Sequence, residues 1–301
     1  MKEIKLAHRL EYGIVRGVSA FFSFLPTGLA LALVWLPARL VFLLRRKVRI
    51  RTRQRIRQAL GVGKTDLEID RIACRAFRNL TFTAVEGLRL SRLTKNWIDR
   101  HLNMDVVHMV QRELEKKRGL IVAVPHMGNW ELAGIALQSR GVNVLTLVRR
   151  QKNPLMNDWI NRLRTATGAE AIDTKSRQVG EVPRKLNGEN KLLAILPDVR
   201  AKAGGLPIRY LGQDTIIPPG LAQFARAARV PILVAEVYRK GWTRHEWRIT
   251  GRIEPDFEQS GEADALRLTQ YVMDRFSESV RAHPADYFWF NKRWVLGVEE
   301  E

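Results

Sequence analysis

Four short apolar runs constrain this chain most: residues 120–124 (LIVAV), 144–148 (VLTLV), 192–196 (LLAIL) and 231–235 (PILVA). Each is too short for a typical helix and apolar almost throughout, the pattern of a strand buried on both faces. Helix-like stretches lie between them: 129–139 ahead of Gly141, a segment with Trp159, Ile160 and Leu163 ahead of Gly168, and 221–228. This alternation predicts βαβ units, hence an α/β fold with a largely parallel central sheet flanked by helices. Residues 245–253, with Trp247 and Ile249, read as a more exposed strand, and 262–282 as a last amphipathic helix.

The N-terminal region follows a different pattern. Residues 17–38 carry no charged side chain, and 8 of the 13 residues from 45 to 57 are Arg or Lys. An apolar segment of about 20 residues is long enough to cross a bilayer. Pro26 and Pro37 interrupt it, so a single span, an interfacial hairpin and a buried hairpin all remain open. Basic residues beside an apolar segment stay on the cytoplasmic side and favour anionic headgroups. The chain therefore divides into a membrane anchor with a polybasic segment (1–60) and an α/β domain (61–301), with an anionic membrane surface rather than nucleic acid as the partner of its basic end. Its formal net charge of +20 suits acidic partners generally.

Composition removes several chemistries. With one cysteine, Cys74, there is no intramolecular disulfide and no cysteine-built metal site. The six histidines lack metal-ligand spacing, so no metal is expected. The segment from Gly61 to Thr65 imitates the tail of a phosphate-binding loop but lacks the earlier glycine and the preceding strand, and reads as a turn between helices. Asp66 then opens an amphipathic helix carrying Ile69, Ile72, Ala73, Ala76, Phe77 and Leu80.

Reactive groups in open α/β sheets gather where strands end. His126 follows the first apolar run, and Glu131 stands five residues on. On one continuous helix these two face different ways, at about 100° per residue. They meet only if His126 lies in the turn, sharpened by Gly128, and Glu131 in the first helical turn. There Glu131 fixes the imidazole tautomer and stabilises the imidazolium, so that His126 takes a proton from a hydroxyl. No Ser or Cys in this segment offers a nucleophile, which favours direct transfer to an acceptor hydroxyl. Arg149 ends the second run and is suited to a phosphate of the substrate. Asn129 either caps the helix or binds substrate. Asp198, after the third run, either neutralises Arg149 or positions a substrate hydroxyl.

Together VPHMGNWELAG (124–134), RRQKNP (149–154), LPD (196–198), IPPG (217–220) and HPADYFWFNKRW (283–294) make the sequence resemble the lysophospholipid acyltransferase superfamily. It is similar to the branch of bacterial lipid A biosynthesis (lauroyl/myristoyl) acyltransferases and the related mycobacterial phosphatidylinositol mannoside acyltransferases. The resemblance covers nearly the whole chain. It implies an enzyme of the bacterial inner membrane, on its cytoplasmic face. Such an enzyme moves a fatty acyl group from acyl carrier protein or acyl-CoA to a hydroxyl of a lipid acceptor, a lipid A precursor or similar glycolipid. No cofactor is implied, because a thioester is already activated. Many relatives carry Gln where this chain has Val199, which leaves the acceptor open. The rival expectation is a non-catalytic, membrane-tethered basic protein binding anionic lipid or nucleic acid.

Overall fold

The computed structural model describes residues 4–90, 93–165, 168–291 and 294–297. Lys292 and Arg293 of the terminal motif lie outside the described residues. Four helices come first: α1 (Leu6–Phe24), α2 (Thr27–Leu44), α3 (Arg46–Leu60) and α4 (Asp66–Leu88). Next are α5 (Lys95–His101) and α6 (Asp105–Leu114), then β1 (Leu120–Ala123), α7 (Trp130–Ser139), β2 (Val144–Val148), α8 (Pro154–Thr165), β3 (Glu170–Asp173), α9 (Val182–Gly188) and β4 (Leu192–Ile195). The remainder is a hairpin of β5 (Leu206–Tyr210) and β6 (Gln213–Ile217), then α10 (Gly220–Ala228), β7 (Ile232–Lys240), β8 (Arg244–Ile253) and α11 (Gly261–Ala282).

The main sheet has the order β3-β2-β4-β1-β7-β8, parallel throughout except for β8, which runs antiparallel to β7 at one edge. This is the expected α/β architecture. Strand β1 is buried on both faces, which explains its unbroken apolar run. The apolar-run reading missed β3, which is short and partly polar, and the β5–β6 hairpin, where buried and exposed residues alternate.

Residues 17–38 do not form one helix: the chain breaks at Leu25 and Pro26, and α2 runs on to Leu44. Among the described residues α2 is the one helix long and apolar enough to cross a membrane. The buried-hairpin alternative fails on exposure. Ala30 and Leu31 pack with Phe82 and Val85 of α4, but Leu33, Leu36, Leu40 and Leu44 stand 49%, 75%, 57% and 72% exposed. Helix α1 adds exposed Leu6, Leu10, Ile14, Phe21 and Phe24.

The segment up to residue 60 shares buried contacts with the α/β part of the chain. Phe42, Ile56, Ala59 and Leu60 belong to the same buried cluster as Ile121 of β1 and Trp289 near the C-terminus. The basic helix α3 is likewise not all surface. Arg55 is buried, donating to the carbonyls of Trp289 (2.7 Å) and Asn291 (2.8 Å) and lying 5.3 Å from the Trp294 ring. Arg45, Arg46 and Lys47 remain exposed. Gly61 to Thr65 is a turn, with Thr65 capping α4 through a reciprocal box with Glu68.

Candidate active site

The register of the sheet builds the site. Ala123 of β1 pairs with Ile195 of β4, so His126 and Asp198 each stand three residues beyond a paired position on adjacent parallel strands. Thr146 of β2 pairs with Ala194, which brings Arg149 to the same C-terminal edge. Both carboxylate oxygens of Asp198 are used on His126: Oδ1 accepts from Nδ1 at 2.7 Å, and Oδ2 accepts from the backbone N–H at 2.9 Å. The Asp198 side chain is fully buried, whereas His126 keeps 22% of its own exposed. Nδ1–H held by the carboxylate leaves Nε2 as the basic nitrogen. Burial alone lowers the imidazole's proton affinity. The Asp198 charge and hydrogen bond outweigh it, and the net shift is upward.

The turn is held on its other sides as well. Phe288 N–H donates to the His126 carbonyl at 2.8 Å, and Gly128 N–H donates to the Asp286 carbonyl at 2.9 Å. Gly128 has φ +60°, and a Cβ there would lie 2.2 Å from the Val237 carbonyl oxygen, so only glycine fits. The Trp130 ring meets the imidazole edge-on at 5.4 Å, and the Phe288 ring lies 6.4 Å away. Behind Asp198, burial pushes the Tyr287 hydroxyl well above its ordinary pKa, helped by Tyr210 and by Asp198 itself. Tyr287 therefore stays protonated beside the carboxylate.

His126 opens onto a cleft of about 580 Å³ along the α7 face of the sheet. Val122, Val124, Val144, Thr146, Ala194 and Leu196 line it, at alternate positions on three strands. Its wall is mostly apolar and also carries Glu131 and Arg149. A volume of this size, apolar with a few convergent polar groups, is typical of a ligand site. Among the described residues no His, Cys, Asp and Glu cluster is able to hold a metal.

Each residue singled out in the sequence now has a place. His126 is in the turn and Glu131 in the first turn of α7, but the partner of Nδ1 is Asp198 and not Glu131. Glu131 stands with His126 in the cleft wall. Asp198 does not neutralise Arg149, since both its oxygens face His126. Arg149 is exposed, lines the cleft and has no ion pair among the described residues. Asn129 is a helix cap: its Oδ1 accepts from Leu132 N–H at 3.0 Å, and its Nδ2 donates to Glu86 at 2.8 Å. The residue is buried, and both ends of its amide are engaged within the fold.

Sequence reasoning missed the group around Glu86. This carboxylate is buried and paired with both terminal nitrogens of Arg239, two N–H···O contacts of 2.8 Å each. His245 Nε2 lies 3.3 Å from the same carboxylate. Burial opposes the charge on Glu86, but Arg239 and His245 bring its pKa down to about 2. Burial lowers that of His245. A glutamate inside the apolar stripe of α4 was the available signal, since an unpaired carboxylate is not tolerated there.

An imidazole–carboxylate pair thus faces a mostly apolar cleft at the C-terminal edge of a parallel sheet. The model of the bacterial lipid A biosynthesis acyltransferase family matches residues 2–295. The chain belongs to that family and is an O-acyltransferase. It is 22% identical over 218 residues to a phosphatidylinositol mannoside acyltransferase of Mycolicibacterium smegmatis, covering 72% of this chain and 70% of the relative. It is 23% identical over 252 residues to the protein of that name in Mycobacterium tuberculosis, covering 82% and 78%. Family membership and the exposed apolar helix together point to membrane association. The non-catalytic alternative falls with this assignment.

Proposed function

We propose that this acyltransferase moves a fatty acyl chain from a thioester, carried by acyl carrier protein or coenzyme A, to a hydroxyl of a glycolipid such as a lipid A precursor. The observation that carries the reading is the His126–Asp198 pair at 2.7 Å, opening on an apolar cleft. His126 Nε2 takes the proton of the acceptor hydroxyl while that oxygen attacks the thioester carbonyl. Asp198 holds the resulting imidazolium. Collapse of the tetrahedral intermediate expels the thiolate, which receives the proton from His126. The acyl chain occupies the cleft, where each buried methylene contributes about 0.8 kcal/mol. Glu131 accepts hydrogen bonds from acceptor hydroxyls, and Arg149 grips a phosphate in a bidentate way.

The same reading sets the protein on the cytoplasmic face of the bacterial inner membrane. The exposed leucines of α2 enter the acyl region, and Arg45, Arg46 and Lys47 meet anionic headgroups. The test is transfer from a labelled acyl thioester to a glycolipid acceptor by purified protein. His126→Ala loses at least about 100-fold in turnover and stays folded. Near-normal transfer by that variant overturns the reading. Glu131→Gln raises the acceptor KM, and an unaffected acceptor KM removes its hydroxyl-binding role.

A further inference from the structure

We propose that Glu86 and Asn129 form a positioning unit, in which helix α4 holds the catalytic turn at the height and angle that His126 needs. The proposal rests on His126 being the base. One face of α4 carries Asn79, Thr83 and Glu86, spaced four and three residues apart and so on one side of the helix. Each reaches the region of the catalytic turn. Asn79 Nδ2 donates to the Ala285 carbonyl and to Asp286 Oδ1, both at 3.1 Å, and the Asp286 carbonyl in turn receives Gly128 N–H. Thr83 Oγ1 donates to the Gly128 carbonyl at 3.4 Å. Glu86 Oε2 accepts from Asn129 Nδ2 at 2.8 Å.

Asn129 joins this face to α7. Its oxygen caps the helix at Leu132, and its nitrogen is tied to Glu86, so the residues between His126 and the helix are held from both ends. Glu86 cannot shift to follow a moving turn, because the Arg239 guanidinium grips both its oxygens and that side chain is 1% exposed. A buried ion pair of this kind adds little net stability compared with apolar packing of the same volume. Fixed geometry is what it adds, and displacement of a catalytic group by about 1 Å is enough to cost on the order of 100-fold in rate.

The discriminating variant is Asn129→Ser. Serine caps a helix as well as asparagine does but has no donor that reaches Glu86, while the Glu86–Arg239 pair stays whole. Asn129→Asp is the second variant: it also caps, and it sets a carboxylate against Glu86. Both are measured for kcat, for KM of thioester and acceptor, for the acid limb of the pH–rate profile and for melting temperature. The groups facing His126 in the cleft (Asp198, Glu131 and Arg149) are unchanged in both.

The expected result for Asn129→Ser is a fall in kcat of at least about tenfold, with both KM values within about twofold and a melting temperature within a few degrees of wild type. The acid limb moves to lower pH as the His126–Asp198 contact loosens. Asn129→Asp loses more. A native kcat and a native acid limb in the serine variant overturn the proposal. So does a loss of activity that tracks a fallen melting temperature and recovers on cooling. His126→Ala in the same assay separates the two ideas. If it is inactive while Asn129→Ser is native, only the positioning role fails; if it is active, the assignment of the base fails.

Discussion

Replacing Asp198 by asparagine tests the heart of the site with almost no change in shape. The wild-type carboxylate makes two contacts with one residue, Nδ1 at 2.7 Å and the backbone N–H at 2.9 Å. Asparagine has one oxygen for these two donors. If that oxygen keeps the backbone N–H, the amide NH₂ faces Nδ1 and forces it to become the acceptor. The proton then sits on Nε2, and the nitrogen that should take the acceptor's proton is already protonated. The negative charge is also lost. At about 4 Å between charge centres and an effective dielectric near 20, two unit charges attract by roughly 4 kcal/mol, and the desolvation of both groups offsets part of this. The two effects together predict a kcat loss between about 10² and 10⁴. The sign of the pH effect follows from the same contact. Asp198 raises the imidazole pKa against burial, so the variant keeps only burial and its pKa falls below the ordinary value. Wild-type kcat/KM should decline on the acid side at a pH above that ordinary value, and the variant's acid limb should lie lower. Steady-state rates across pH, with a melting curve at each point, measure both. A variant with undiminished kcat, or with its acid limb moved upward, refutes the assignment.

Gly128→Ala introduces a Cβ 2.2 Å from the Val237 carbonyl at φ +60°, and a left-handed alanine alone costs about 1–2 kcal/mol. Melting temperature should drop by several degrees and activity with it; a stable, active variant disproves the close approach. Arg149→Lys keeps the charge but loses the planar fork. KM for the phosphate-bearing substrate should rise more than kcat falls, at unchanged melting temperature, whereas an unchanged KM retires the phosphate role. Serine at Leu33, Leu36, Leu40 and Leu44 together should release the protein from anionic vesicles without lowering its melting temperature, because these side chains are 49–75% exposed. Undiminished vesicle binding removes α2 from the membrane contact. Deleting residues 1–44 is not an equivalent test, since Phe82 and Val85 would lose their cover from Ala30 and Leu31.

What was legible in the sequence was local. Unbroken apolar runs at 120–124 and 192–196 announce strands buried on both faces, and the residue types just after them, His126 and Asp198, announce chemistry at the strand ends. Gly128 and Asn129 together mark a tight turn entering a helix. These signals survive because each depends on neighbours a few residues away. The partner of His126 was not legible. The nearest carboxylate in sequence, Glu131, was the natural choice, and the one that holds Nδ1 lies 72 residues downstream. That pairing depends on β4 lying beside β1 with β7 on its other side. The order of strands in a parallel sheet is decided by how crossover helices pack, and no period in the sequence records it. The same reason hid Glu86, whose partners Arg239 and His245 come from the β7–β8 ladder. It also hid the inclusion of α3 in the main core, because a run of arginines reads as surface until folding supplies Arg55 with the carbonyls of Trp289 and Asn291. Periodicity and turn chemistry thus determined the elements and the edge where the site forms. Only tertiary packing decided which side chains face one another across that edge, because contacts between distant residues form when separate strands and helices dock.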